Sequence, residues 1–115
     1  MSIGRKAALM AALVMAISPS VALAGDREDA RLAITAAQAK IETNDKAGVD
    51  RMAPEAQARA RAALMEAQRQ FDRHHEDRAR DAANNASSLA DLALATAQAH
   101  HAEAERAAAL AAPQE

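Results

Sequence analysis

The residues best suited to chemistry in this sequence are four histidines, and they fall in two adjacent pairs. His74-His75 runs directly into Glu76 and Asp77, and His100-His101 is followed by Glu103 and Glu105. Imidazole and carboxylate are both zinc ligands. On a helix, His101 and Glu105 share one face at i,i+4 and could share a metal ion. Zinc normally takes three or four protein ligands, so neither pair completes a site alone. On one continuous helix the two clusters would lie about 39 Å apart, too far for one chain to join them. The candidate metal ligands are therefore His74, His75, His100, His101 and Glu105. The simpler reading of both clusters is a solvated helix terminus and tail, with no metal and no cofactor.

Other constellations are sparser. Arg59, Arg61, Arg69 and Arg73 could form an anion-binding strip on one helix, but positions 59 and 61 point in different directions and Glu55 and Glu66 sit among them. A solvated face with ordinary ion pairs is expected there. After residue 24 the only serines are Ser87 and Ser88, and no histidine stands at motif spacing to either. No glycine-rich loop is present to cradle a phosphate. The sequence supports no catalytic residue, and the chain is read as not an enzyme.

The elements that must carry these residues are helices. Gly48 and Pro54 are the clearest punctuation. A first helix is expected from near Asp26, which can cap it with Glu28 and Asp29 in the first turn, to between Asn44 and Gly48. Pro54 suits the first position of a second helix, where its missing N–H costs nothing, and that helix should reach about Phe71. Asp72 to His75 reads as a short connection. A third helix is expected from Glu76 to about Ala111, before Pro113, and would be about 54 Å long. Alanines recur at alternating steps of four and three. The third helix carries Ala79, Ala83, Ala86, Ala90, Ala93 and Ala97, then His100, Ala104, Ala107 and Ala111. The second carries Ala56, Ala60, Ala63 and Ala67, and the first Ala30, Ile34, Ala37 and Ile41. This is the heptad of packed helices, and alanine lets their axes approach closely. Leu89, Leu94 and Leu110 should flank the third seam, with Asp77, Asp81, Asn84, Ser88, Asp91, Gln98 and Glu105 on the solvated side. The expected fold is all-α: an antiparallel three-helix hairpin or bundle with alanine-rich heptad seams and a long third helix.

The first residues read as an address. Arg5 and Lys6 precede the apolar run Ala7 to Ile17, Ser18-Pro19-Ser20 breaks it, and Ala22-Leu23-Ala24 places small residues where a signal peptidase reads. That order is a secretory signal peptide over 1–24, cleaved after Ala24. The apolar run is near half the length of a membrane span. The domain expectation is one helical domain over 25–112 and a short tail over 113–115. The product should be periplasmic, with no stable membrane anchor after cleavage. The sequence has no cysteine, which excludes disulfides and lipid attachment at the cleavage site, so a lipoprotein is not expected.

Charge and composition narrow the partners. Cleavage removes Arg5 and Lys6 from 14 cations and none of 16 anions, leaving a net charge of −4. Nucleic-acid binding rests on cationic contacts to phosphate and on aromatic stacking; the chain is acidic, with Phe71 its one aromatic. Nucleic acid is therefore excluded as a partner, and so is a cationic membrane-surface helix. Alanine fills 29 of residues 25–115. Alanine is the best helix former but buries little surface, so helices are strongly specified while tertiary stability is thin. A protein partner or self-association is expected to supplement that core.

Several of these segments together resemble one bacterial family. They are Ala30-Arg31-Leu32-Ala33-Ile34 in the first helix, Ala53-Pro54 opening the second, Ala60 to Ala67 within it, and Ala79-x3-Ala83-x2-Ala86 in the third. The chain is similar to the envelope family catalogued as domain of unknown function 4398, over roughly Ala30 to Ala99. The resemblance implies an envelope protein without catalytic residues. Some members precede a peptidoglycan-binding domain like that of outer membrane protein A. This sequence departs in lacking that domain and the lipoprotein cysteine, so peptidoglycan binding is not carried over.

The functional expectation is a non-enzymatic exported helical protein, an envelope interaction or structural module. The alternatives are a self-assembling alanine-zipper coiled coil, and a periplasmic metal-binding or chaperone-like protein.

Overall fold

The computed structural model describes residues 25–113. Residues 1–24, which the sequence reads as a signal peptide, and the last two residues lie outside that range, so the expected cleavage site does too. Among the described residues the fold is all-helical, with four helices and no strand. Helix α1 is described from 25 to 46, α2 is the single turn Val49–Met52, α3 is Pro54–Asp72 and α4 is Glu76–Ala111. Residue 25 is already helical, so Asp26 lies inside α1 instead of capping it.

Local chemistry explains the boundaries. Gly48 closes α1 at φ 79°, in the left-handed region that a Cβ disfavours. The short α2 was not expected from the sequence, which marks only a break between Gly48 and Pro54. It forms because Gly48 turns the chain back and Val49 is then buried with Ala53, Ala93 and Ala97. Pro54 occupies the start of α3, where no helical hydrogen bond needs its nitrogen.

Contacts fix how the helices lie. Arg27 of α1 meets Glu76 at the start of α4, Lys40 meets Asp91 and Asn44 meets Ala90, so α1 and α4 advance together. Ala53 and Ala97 share one core cluster and Ala60 and Ala90 another, so α3 runs back along α4. The core consists mostly of alanine: Ala30, Ala37, Ala60, Ala67, Ala79, Ala83, Ala86, Ala90, Ala93 and Ala97 are buried, with Ile41 and Val49 the larger members. The polar side expected for α4, Asp77 through Glu105, is exposed at each named position.

Two expectations are corrected by packing. From the α3 N-cap onward the buried line is Ala53, Gln57, Ala60 and Ala67, while Ala56 and Ala63 are only half-buried beside it. A purely apolar pattern selects Ala56 because it passes over glutamine at 57. On α4 Leu110 does not flank a packed seam: it is 83% exposed, because α3 ends its cover near Ala97. From 98 to 113 every residue is exposed. The mismatch follows from length, since α3 spans about 28 Å and α4 about 54 Å.

Candidate functional site

The buried polar group sits where α1, α3 and α4 meet. Gln57 is 0% exposed and Asn44 4%. Asn44 Nδ2 donates to Gln57 Oε1 at 3.1 Å and to the Ala90 carbonyl at 2.9 Å. Gln57 Nε2 donates to the Ile41 carbonyl at 3.1 Å and to Asp45 Oδ1 at 3.0 Å. Arg61 donates to the same Asp45 oxygen from the rim. That hydrogen bond from Arg61, with a second from Gln57, holds the Asp45 carboxyl below its usual range against the opposing effect of burial. No buried side-chain polar atom among the described residues lacks a partner. A satisfied amide pair fixes register more than it offers chemistry, since its donors and acceptors are already used. In the sequence Asn44 marks only a possible helix end, and nothing marks Gln57. The available signal was an amide at each heptad position in line with Ala37 and with Ala53.

The first histidine pair caps the end of the structure where α3 turns into α4. His75 Nδ1 donates to Gln70 Oε1 at 2.9 Å. His74 stands at φ 62°, and its Nδ1 lies 3.3 Å from Arg27 Nη1 and 4.0 Å from Glu76 Oε1. Arg27 also donates to Glu76 at 3.1 Å and lies 4.0 Å over the Phe71 ring, with Arg31 at 5.8 Å. Glu76 is held below the ordinary carboxylate range, first by a backbone hydrogen bond at the start of α4 and then by Arg27. The open groove here is lined by Asp26, Arg27, Arg31, His74, Glu76 and Arg78 among others, with charges of both signs neutralising one another.

The second pair lies far along α4, past its last buried residue, Ala97. His101 Nε2 lies 3.1 Å from Glu105 Oε1, the i,i+4 pairing expected from spacing. His100 Nδ1 donates to the Met52 carbonyl at 2.9 Å. Thus His74 and His75 stand at one end of α4, and His100, His101 and Glu105 beyond its packed part. The fold does not bring the two groups together, and among the described residues no three His, Cys, Asp or Glu side chains converge on a metal position. The arginines of α3 are likewise dispersed: Arg61 is committed to Asp45 and Arg69 to Glu66.

No helix among the described residues is long and apolar enough to cross a membrane. No family model matches the chain, and no curated protein or solved structure is significantly similar to it.

Proposed function

We propose that this is a non-enzymatic exported protein acting in the periplasm as an envelope interaction or structural module. Its body is an antiparallel three-helix unit with alanine heptad seams, and the free length of α4 is the part that engages a partner. The observation that carries the reading is the uncovered run 98–113, in which every residue is exposed while the helix continues to Ala111. An alanine-rich stretch continues a helix already nucleated by its packed part, so this run holds its shape and presents all its faces, Leu110 among them, to a partner. The export reading rests on Arg5, Lys6, the apolar run and Ala22-Leu23-Ala24. The resemblance to the envelope family agrees with it.

Two measurements test the proposal. Mass spectrometry of a periplasmic fraction should find a chain beginning at Gly25; full-length chain confined to the cytoplasm rejects export. Photocrosslinking groups at Ala102 and Ala109 in living cells should give a discrete adduct with an envelope protein or a second copy. No adduct from either position rejects α4 as the contact surface.

A further inference from the structure

The connection between α3 and α4 is a strained turn made of residues that a helix accepts. The α3 C-terminus closes with the His75 amide donating to the Gln70 carbonyl at 2.9 Å, and His74 takes the left-handed conformation at φ 62°. Glycine normally fills that place, because a side chain there is strained. The segment Asp72-Arg73-His74-His75 contains neither glycine nor proline. His75 caps α4 without any side-chain hydrogen bond to the helix. Nothing in the composition of the turn compels the chain to reverse here, and strained hinges favour exchange of elements between copies.

The pattern on either side is also continuous. Leu64, Ala67, Phe71, His75, Ala79, Ala83 and Ala86 stay on one face if the helix runs straight through the turn, because the span from Leu64 to Ala86 is two 11-residue periods. The residues of α3 and α4 that meet are equally far in sequence from His75: Ala53 with Ala97, and Ala60 with Ala90. The charges around the turn follow the same symmetry. Asp72 is matched by Arg78, Arg73 by Asp77, and His74 by Glu76, each pair equidistant from His75. Two straight helices crossing antiparallel at His75 would keep the α3–α4 register and set these charges opposite one another.

We propose that a second copy of this chain exchanges α4 with the first, forming a domain-swapped dimer in which α3 and α4 become one helix over 54–111. Each α4 then packs on the partner's α1 and α3 through the contacts now made within one chain, including those of Asn44 with Ala90 and Arg27 with Glu76. The strain at His74 is relieved, and the Asp72–Arg78, Arg73–Asp77 and His74–Glu76 pairs form between copies. The continuous helix is about 87 Å long. The two free α4 ends emerge at opposite poles, their bases about 66 Å apart, so the dimer presents the contact surface twice. This inference concerns assembly alone and stands whether or not the free end of α4 binds an envelope partner.

The test uses the full chain, which has no cysteine, so Glu55→Cys with Ala95→Cys gives two specific spin-label positions, both exposed. The doubly labelled chain is mixed with excess unlabelled chain, unfolded and refolded at high concentration, and monomer and dimer are separated by size. The expected distance within one labelled chain is about 60 Å in the dimer, against side-by-side helices in the monomer. His74→Gly should lower the dimerisation constant by at least about tenfold, since glycine accepts the turn and weakens the helix. His74→Ala should raise it. A dimer whose labels stay close, no dimer in the unsubstituted chain or in His74→Ala, or equal dimerisation constants in the two variants would each overturn the proposal.

Discussion

Asn44 on α1 donates a hydrogen bond to the backbone carbonyl of Ala90, 2.9 Å away in the middle of α4. A side-chain amide reaches mid-helix backbone on a neighbouring element only when the axes are close. Here closeness comes from residue size: the positions around the contact on α4 are Ala83, Ala86, Ala90 and Ala93, all buried. Small side chains and a buried amide are therefore one device. The alanines let the helices approach, and Asn44 with Gln57 sets which residues lie opposite.

Gln57→Leu should lower stability by about 1–3 kcal/mol, because Asn44 loses an acceptor and the Ile41 carbonyl a donor. Asn44→Leu should cost a similar amount. The double substitution should cost clearly less than the two single losses together, since no orphaned amide remains. Urea denaturation of the three variants checks this; strictly additive losses would show that the two amides do not act as a pair.

Overpacking the close approach should be costly in a position-dependent way. Ala83→Leu and Ala90→Leu should each destabilise by about 1–3 kcal/mol, because the buried site has no room for three more carbons. Ala102→Leu, in the uncovered part of α4, should change the melting temperature by no more than a few degrees. Comparable losses at 83 and 102 would place the packed face elsewhere. Leu64 and Leu89 are half-buried against the Ile41, Ala60 and Ala90 cluster, so truncating either to alanine should cost nearer 2 than 5 kcal/mol.

Acid should loosen the α1–α3 contact through Asp45. Its carboxyl is held below the ordinary value of an aspartate, mainly by the Arg61 hydrogen bond. A folded-state value below the unfolded one stabilises the fold above the unfolded value and is lost as pH falls through the folded value. Stability of the natural sequence should thus decline below about pH 4, and Asp45→Asn should flatten that part of the curve. Because the pair is partly solvated, the effect should be modest and shrink with added salt. Identical acid limbs in thermal melts of the two proteins would argue against it.

Ending the chain after Ala97 should leave the folded body nearly intact. Residues 98–113 are all exposed, and a hydrogen bond from His100 to the Met52 carbonyl ties the start of this stretch to the body. The expected loss is within about 1 kcal/mol, with helical circular dichroism falling in proportion to the residues removed. A collapse of the melting transition would show that the extension supports the core.

Phe71 is the one aromatic residue, half-buried beneath Arg27. Phe71→Leu keeps most of the apolar contact and removes the ring face, so it should cost about 0.5–1 kcal/mol. Arg27→Ala should cost at least as much, since it removes the Glu76 contact too. Near-zero change in both thermal melts would mean that this end of the structure is not held by the cation–ring contact.

Much of this architecture was legible in the sequence because it is specified locally. Alanine propensity dictates helix, Gly48 and Pro54 dictate where helices stop and start, and four-three spacing singles out Ala79 through Ala97 as a buried line. The i,i+4 pairing of His101 with Glu105 is likewise local and follows from helical pitch. What only tertiary structure decided are the non-local matters. Gln57 is buried, although glutamine usually faces water, because Asn44, Asp45 and the Ile41 carbonyl come from another helix to satisfy it. The one-turn α2 exists because Val49 finds a pocket against Ala93 and Ala97 more than forty positions on. His100 continues the alanine spacing yet is exposed, since spacing marks a face while the length of α3 decides how far that face is covered. Periodicity is a property of one helix, whereas burial and polar satisfaction belong to the helices that meet it.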